Sequence, residues 1–159
     1  MKLLLLLRGA PGVGKSTIAN ALLCWKNNSK VSCFAADDYF YNQYGDYLFV
    51  PEMLPRAHSL CFDNTEDALQ KGKSLVIVHN TFCKEDDMKQ YYHLAEKYNV
   101  LCSSVIVEGR RYHVKRHPNK VSEVGEFMNR DKCDIESIHN VPEVTVNRMI
   151  KELKGSILL

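Results

Sequence analysis

Three glycines fall within eight positions near the start of the chain, in the order Gly9-Ala10-Pro11-Gly12-Val13-Gly14-Lys15-Ser16. Residues 2–7 before them are an apolar run, the pattern of a central parallel strand covered on both faces. A helical segment over 15–25 follows. A strand, a glycine loop and a helix in this order match the pattern G-x-x-x-x-G-K-[ST] in full. The glycines let the backbone turn tightly, so that successive N–H groups point at one anion. The helix adds the positive end of its dipole. Lys15 supplies a flexible point charge for the β- and γ-phosphates, and Ser16 a hydroxyl for a Mg²⁺ ion. The loop therefore points to a nucleoside triphosphate, taken as ATP, held by Gly9, Gly12, Val13, Gly14, Lys15, Ser16 and Thr17.

The rest of the chain alternates strands and helices. Strands are expected over 31–35, 74–78 and 100–107, and helices over 54–71, 84–98 and 142–153. Gly72 and Asn99 end the middle two helices, and Pro142 starts the last. Residues 155–159 read as a short fifth strand. Alternation of this kind implies a three-layer α/β fold with a mostly parallel sheet. Ligands then sit beyond the carboxyl ends of the strands. Three loops converge there: 9–16, Asp37-Asp38 and His79-Asn80-Thr81.

Asp37 and Asp38 follow the second strand, which neighbours the loop strand in many such sheets. A carboxylate there can take a proton from an attacking hydroxyl and help hold Mg²⁺. It can equally cap a short helix beginning near residues 39–41. The residues alone leave both readings open. His79-Asn80-Thr81 also has the form H-x-T of two-histidine phosphoesterases. No other histidine is followed two positions on by threonine, so the second copy that chemistry needs is missing.

Other features set limits. The chain has 159 residues, enough for one domain with a substantial core, and a formal charge of only +2. Any nucleic-acid surface must then be local. Its six cysteines form no Cys-x-x-Cys pair, which suits free thiols in a reducing compartment. The opening apolar run is shorter than a signal core or a membrane span, so the cytosol or nucleus is the expected address. Arg110, Arg111, His113, Lys115, Arg116, His117 and Lys120 make a dense basic run. Such a run suits a mobile lid, a polynucleotide backbone contact or a solvated loop. Tyr39, Phe40, Tyr41, Tyr44, Tyr47 and Phe49 could stack bases or pack a core. His58 falls on a helix, either facing an acceptor groove or held structurally.

Several segments together carry a more specific likeness: the loop from Leu7 to Thr17; Asp37-Asp38-Tyr39-Phe40; Gly45-Asp46-Tyr47-Leu48-Phe49; Ala57-His58; Val76-Ile77-Val78-His79-Asn80-Thr81; Met88-Lys89 with Tyr91; and His139-Asn140-Val141-Pro142 with Met149. In order and approximate spacing these resemble the P-loop kinase domains related to polynucleotide 5′-hydroxyl kinase, especially their small eukaryotic relatives. The resemblance runs over about residues 5–153. It implies a kinase with Asp37 as general base and as a Mg²⁺ contact beside Ser16. It implies an acceptor side formed by Asp38, Phe40, His58, Asn80 and Thr81, and a lid over about 108–140. Three positions depart from the pattern. His79 stands where the family usually has an aspartate. Glu136-Ser137 stand where the lid usually carries Arg-Asn, which leaves Arg130, after Asn129, for the ATP phosphates. Phe40 replaces the arginine of phage-type enzymes.

The expectation is a single-domain kinase using ATP and Mg²⁺. By resemblance, its acceptor is the 5′-hydroxyl end of a nucleic acid. Two rivals stand beside it: a kinase for a nucleoside or other metabolite, and an ATP-binding interaction module with little transfer activity.

Overall fold

The computed structural model describes residues 2–25, 29–107 and 141–155. Four strands form one parallel sheet: β1 (Leu3–Arg8), β2 (Val31–Phe34), β3 (Leu75–His79) and β4 (Leu101–Ile106), in the spatial order β2-β3-β1-β4. The helices are α1 (Lys15–Trp25), α2 (Leu54–Gln70), α3 (Lys89–Lys97) and α4 (Glu143–Gly155). Short 3-10 turns occupy Ala36–Phe40, Pro51–Met53 and Glu85–Met88.

The leucine run becomes the central strand because both of its faces are covered. Alternate residues point to opposite faces. Leu4 and Leu6, with Val76 and Val78 of β3, pack against Ala57, Cys61 and Leu69 of α2 and Tyr91 and Leu94 of α3. Leu7 and Ile77 turn the other way, onto Ala19 of α1 with Val31 and Val107. Helix, sheet and helix make three layers, as the alternation predicts. A third cluster seats α4 on the glycine loop: Val146 and Leu153 are buried against Ala10, with Val13, Val141 and Ile150 beside them.

Differences from the sequence expectation are local, with one exception. The exception is strand order: β3, and not β2, lies beside β1 on that side. The aspartates after β2 therefore approach the loop across the tip of β3. The expected helix over 84–98 begins as a 3-10 turn, because the Asp87 carboxylate accepts the Lys84 backbone N–H at 3.0 Å and tightens the entry. The helix expected near residues 39–41 is instead a 3-10 turn starting at Ala36. Gly155, expected to open a strand, closes α4; residues 156–159 lie outside the described residues. Among the described residues no helix is long and apolar enough to cross a membrane.

Candidate active site

The glycine loop is held at its root by the strands around it. The Gly9 N–H donates to the Thr81 carbonyl at 3.1 Å, and the Val107 N–H to the Arg8 carbonyl at 2.8 Å. Gly9 has φ +151°, and a Cβ there would stand 2.7 Å from the Val107 carbonyl oxygen. Only glycine fits. Gly12 and Gly14 take φ of +79° and +98°, the left-handed region that other residues avoid. No heavy atom lies within 4 Å of a Cβ built on Gly14, so that part of the turn is open. The α1 helix then starts at Lys15, with the Ile18 N–H donating to the Gly14 carbonyl at 3.1 Å. First-turn N–H groups of a helix have no partner within it, so they face the turn ready for an anion.

Lys15 folds back over this turn. Its Nζ donates to the carbonyls of Gly9 at 2.8 Å and Ala10 at 2.9 Å. Burial lowers its pKa to about 8, against an opposing pull from the Asp37 carboxylate. Ser16 and Thr17 are exposed, and Ser16 Oγ lies 3.5 Å from Nδ1 of His79 at the tip of β3. The His79 imidazole is held below its ordinary pKa mainly by burial and by Lys15, while Asp38 and Asp37 pull upward.

The two aspartates after β2 separate in their contacts. Asp38 Oδ2 accepts the Ala35 backbone N–H at 2.8 Å, closing the turn that carries both residues. Asp37 Oδ1 accepts from the Tyr47 hydroxyl at 3.3 Å, and its charge acts on Lys15. Burial and Asp37 push the Tyr47 phenol above its usual pKa, so it stays a donor. Sequence reasoning places Tyr47 in an aromatic stretch and in one segment of the family likeness, and gives it no role at Asp37. Its spacing ten positions after Asp37 gives no local signal, because the contact needs the loop to fold back.

Asn80, expected on the acceptor side, is buried; its Oδ1 accepts the Ala36 N–H at 2.8 Å and its Nδ2 meets Cys61 Sγ at 3.7 Å. It ties the tip of β3 to the turn that bears Asp37. Thr81 contributes its backbone carbonyl to Gly9, as described above. Phe40 is also buried, its ring edge-on to those of Tyr39, Tyr47 and Phe49. Within the stretch 39–49, Tyr44, Phe49 and Tyr41 lie on the surface, with Tyr44 the most open at 80% exposure. His58 is half-buried on α2. A cavity of about 160 Å³ lies on the α2 side of the aspartate turn, lined by Phe34, Asp38, Tyr39, Leu60, Cys61 and Asn64 among others. Arg130, the basic run 110–120 and the segment 108–140 lie outside the described residues.

A second residue escaped the sequence reading. Arg8 ends β1 and is only 3% exposed. Its Nε donates to the Phe82 carbonyl at 3.0 Å and its Nη2 to the Cys83 carbonyl at 3.4 Å, while Nη1 lies 3.6 Å from Glu85 Oε2. A lone arginine at the end of an apolar strand was the available signal.

A parallel sheet with a glycine turn after its central strand, a lysine over the turn and a carboxylate across from it defines a nucleotide-binding P-loop domain of kinase-like fold. The profile of the family described as AAA domain matches residues 4–149, and the chain belongs to that family. Human NEDD4-binding protein 2 is 37% identical over 95 residues, 60% of this chain and 5% of that protein, so this chain spans a small part of the relative's length. Among solved structures, a chain of the Pnkp1/Rnl/Hen1 RNA repair complex superposes with TM-score 0.64 at 23% identity, covering 99% of this chain and 45% of that one. A second structure of the Pnkp1/Rnl/Hen1 complex gives TM-score 0.54 at 26% identity over 85% of this chain and 44% of the other.

Proposed function

We propose that this domain is an intracellular phosphotransferase that moves the γ-phosphate of ATP onto a hydroxyl, and that its acceptor is the 5′-hydroxyl end of a polynucleotide. One observation carries the phosphotransfer reading. The Asp37 carboxylate acts on the Lys15 ammonium at the mouth of the glycine turn. A carboxylate thus lies within electrostatic reach of the residue that would hold the reacting phosphate. The polynucleotide end rests on the sequence resemblance to polynucleotide 5′-hydroxyl kinase domains, with the 26% identity to a chain of the Pnkp1/Rnl/Hen1 complex in support.

The oxygen donors present fit magnesium. Ser16 offers a hydroxyl and Asp37 a carboxylate oxygen, and Mg²⁺ usually takes one or two protein oxygens together with phosphates and water. When bound, the ion neutralises charge on the β- and γ-phosphate oxygens. The chain's own residues do the rest. The glycine turn and the first turn of α1 bind the phosphates. Lys15 leaves its two carbonyls to reach them. The acceptor oxygen forms a bond to the γ-phosphorus as the bond to the β,γ-bridging oxygen breaks, and ADP leaves. Asp37 takes the acceptor's proton and passes it to solvent. Tyr47 orients that carboxylate, and Asn80 fixes the turn that carries it.

Incubation with γ-labelled ATP and 5′-hydroxyl oligonucleotides, beside common nucleosides and sugars, tests the reading. Label is expected on the oligonucleotides, and Asp37→Asn should slow transfer by roughly 10²-fold while nucleotide binding survives. Label on a metabolite alone would move the acceptor to the small-molecule rival. ATP binding without any labelled product would favour the interaction module. Unchanged turnover in Asp37→Asn would remove it as the base.

A further inference from the structure

We propose that the cation corner of this site is a mixed oxygen and nitrogen one, with His79 as a direct ligand, so that it prefers a first-row transition ion such as Mn²⁺ over Mg²⁺. This rests on the reading that Ser16 meets a nucleotide-borne cation.

The geometry starts with the sheet. β1 and β3 run side by side, with Leu7 opposite His79. The β1 strand leads through the glycine turn into α1, so the tip of β3 is brought against the first turn of that helix. Ser16 Oγ and His79 Nδ1 stand 3.5 Å apart. Two adjacent donors on one octahedral ion, with bonds of about 2.1 Å, lie about 3 Å apart. A closure of about half an ångström therefore places both atoms on a single ion. Ligation uses the tautomer with its hydrogen on Nε2, in which Nδ1 gives up its bond to the residue's own backbone carbonyl and turns a lone pair to the ion.

The choice of ion follows from the donor. Mg²⁺ takes oxygen ligands almost exclusively, whereas imidazole nitrogen suits first-row transition ions. Among the described residues no three His, Cys, Asp or Glu side chains gather to hold a metal by themselves. In this reading the ion arrives with nucleotide phosphates, unlike a resident structural zinc.

The experiment begins with binding of fluorescent ADP in EDTA, which tests the glycine turn without any metal. Mn²⁺ is then titrated into the ADP complex by electron paramagnetic resonance, alone and against Mg²⁺. Pulsed spectra of the same sample report nitrogen coupling to the ion. The wild type is expected to show an imidazole ¹⁴N coupling that is lost in His79→Ala and His79→Gln. Its preference for Mn²⁺ over Mg²⁺ should exceed that of His79→Asp by at least about tenfold, since an oxygen donor returns the corner to magnesium. Protein labelled with ¹⁵N-histidine should replace the ¹⁴N coupling by a ¹⁵N one, which keeps the test decisive if a variant fails to fold. ADP binding with no nitrogen coupling and an unchanged ion preference would overturn the role of His79 alone. Failure of ADP to bind at all would overturn the nucleotide reading and this inference with it.

Discussion

Lys15 is an ammonium held against two carbonyl oxygens in a half-buried turn, and burial lowers its pKa to about 8 from 10.5. Two consequences have opposite sense. In the free protein the charged form is disfavoured relative to the unfolded chain. The cost is therefore fully present below pH 8 and is relieved as pH rises from about 8 to 10.5, so that stability gains with pH in that window. Phosphates, in contrast, bind the protonated form. Nucleotide affinity should be flat below pH 8 and fall above it, with uptake of up to one proton on binding at pH 8.5. Calorimetry in two buffers of different ionisation enthalpy measures that uptake. No uptake would mean that another group balances the phosphate charge. At this scale the sequence was most informative where the backbone itself makes the site, as with Gly9, Gly12 and Gly14. It was least informative where side chains choose partners across the fold. Asp37 and Asp38 are adjacent and chemically alike, and only the turn geometry assigns the Ala35 N–H to Asp38 and leaves Asp37 with Tyr47 and Lys15. Asn80 and Phe40 carry polar or aromatic chemistry that suits a ligand, yet burial commits one to bracing and the other to the core.

Elements show the reverse balance. The helix over Lys15–Trp25 was read to the residue, because its loop marks the start, and α2 and α3 end beside the expected Gly72 and Asn99, whose φ values of +74° and +50° are left-handed. Strand order was not legible. Local periodicity says that a segment is a strand, but its neighbour depends on the path of the crossover helices. The order β2-β3-β1-β4 puts the β3 tip between the loop and the aspartate turn, and Arg8 fastens the segment that follows β3. This arginine is a link between elements, since its guanidinium joins the end of β1 to the entry of α3. Arg8→Met leaves the buried Phe82 and Cys83 carbonyls without those donors. It should cost about 2–4 kcal/mol in urea denaturation. Arg8→Lys should recover only part of this, because an ammonium cannot reproduce the fork. Glu85, whose side chain is 53% exposed in the same ion pair, should matter little, with Glu85→Gln costing below about 1 kcal/mol. Equal losses in Arg8→Met and Glu85→Gln would show that the ion pair, and not the carbonyl contacts, holds the join.

For the molecule as a whole, the site is where distant parts of the chain are joined. The glycine turn follows β1 near the start of the chain, the carbonyl that pins Gly9 follows β3, and the helix seated on the turn lies at residues 143–155. A nucleotide in the turn would bear on a junction of all of these, so binding should be felt as global stability. A ligand at one hundred times its Kd stabilises a native state by about 2.7 kcal/mol. In a domain of this size that amounts to a rise in Tm of roughly 5–10 °C. Val146 supplies a sharper measure, because it is buried on α4 against Ala10 of the turn. Val146→Ala opens a small void there and should lower the Tm of the free protein by a few degrees. It should also weaken ADP binding several-fold, because the turn loses the surface that keeps it in shape. A variant at least as destabilising but remote from the turn, such as Leu94→Ala on the buried face of α3, should leave ADP affinity unchanged. If both variants weaken ADP equally, affinity follows overall stability and the returning helix has no particular hold on the turn. If only Val146→Ala does so, α4 is part of what shapes the phosphate site.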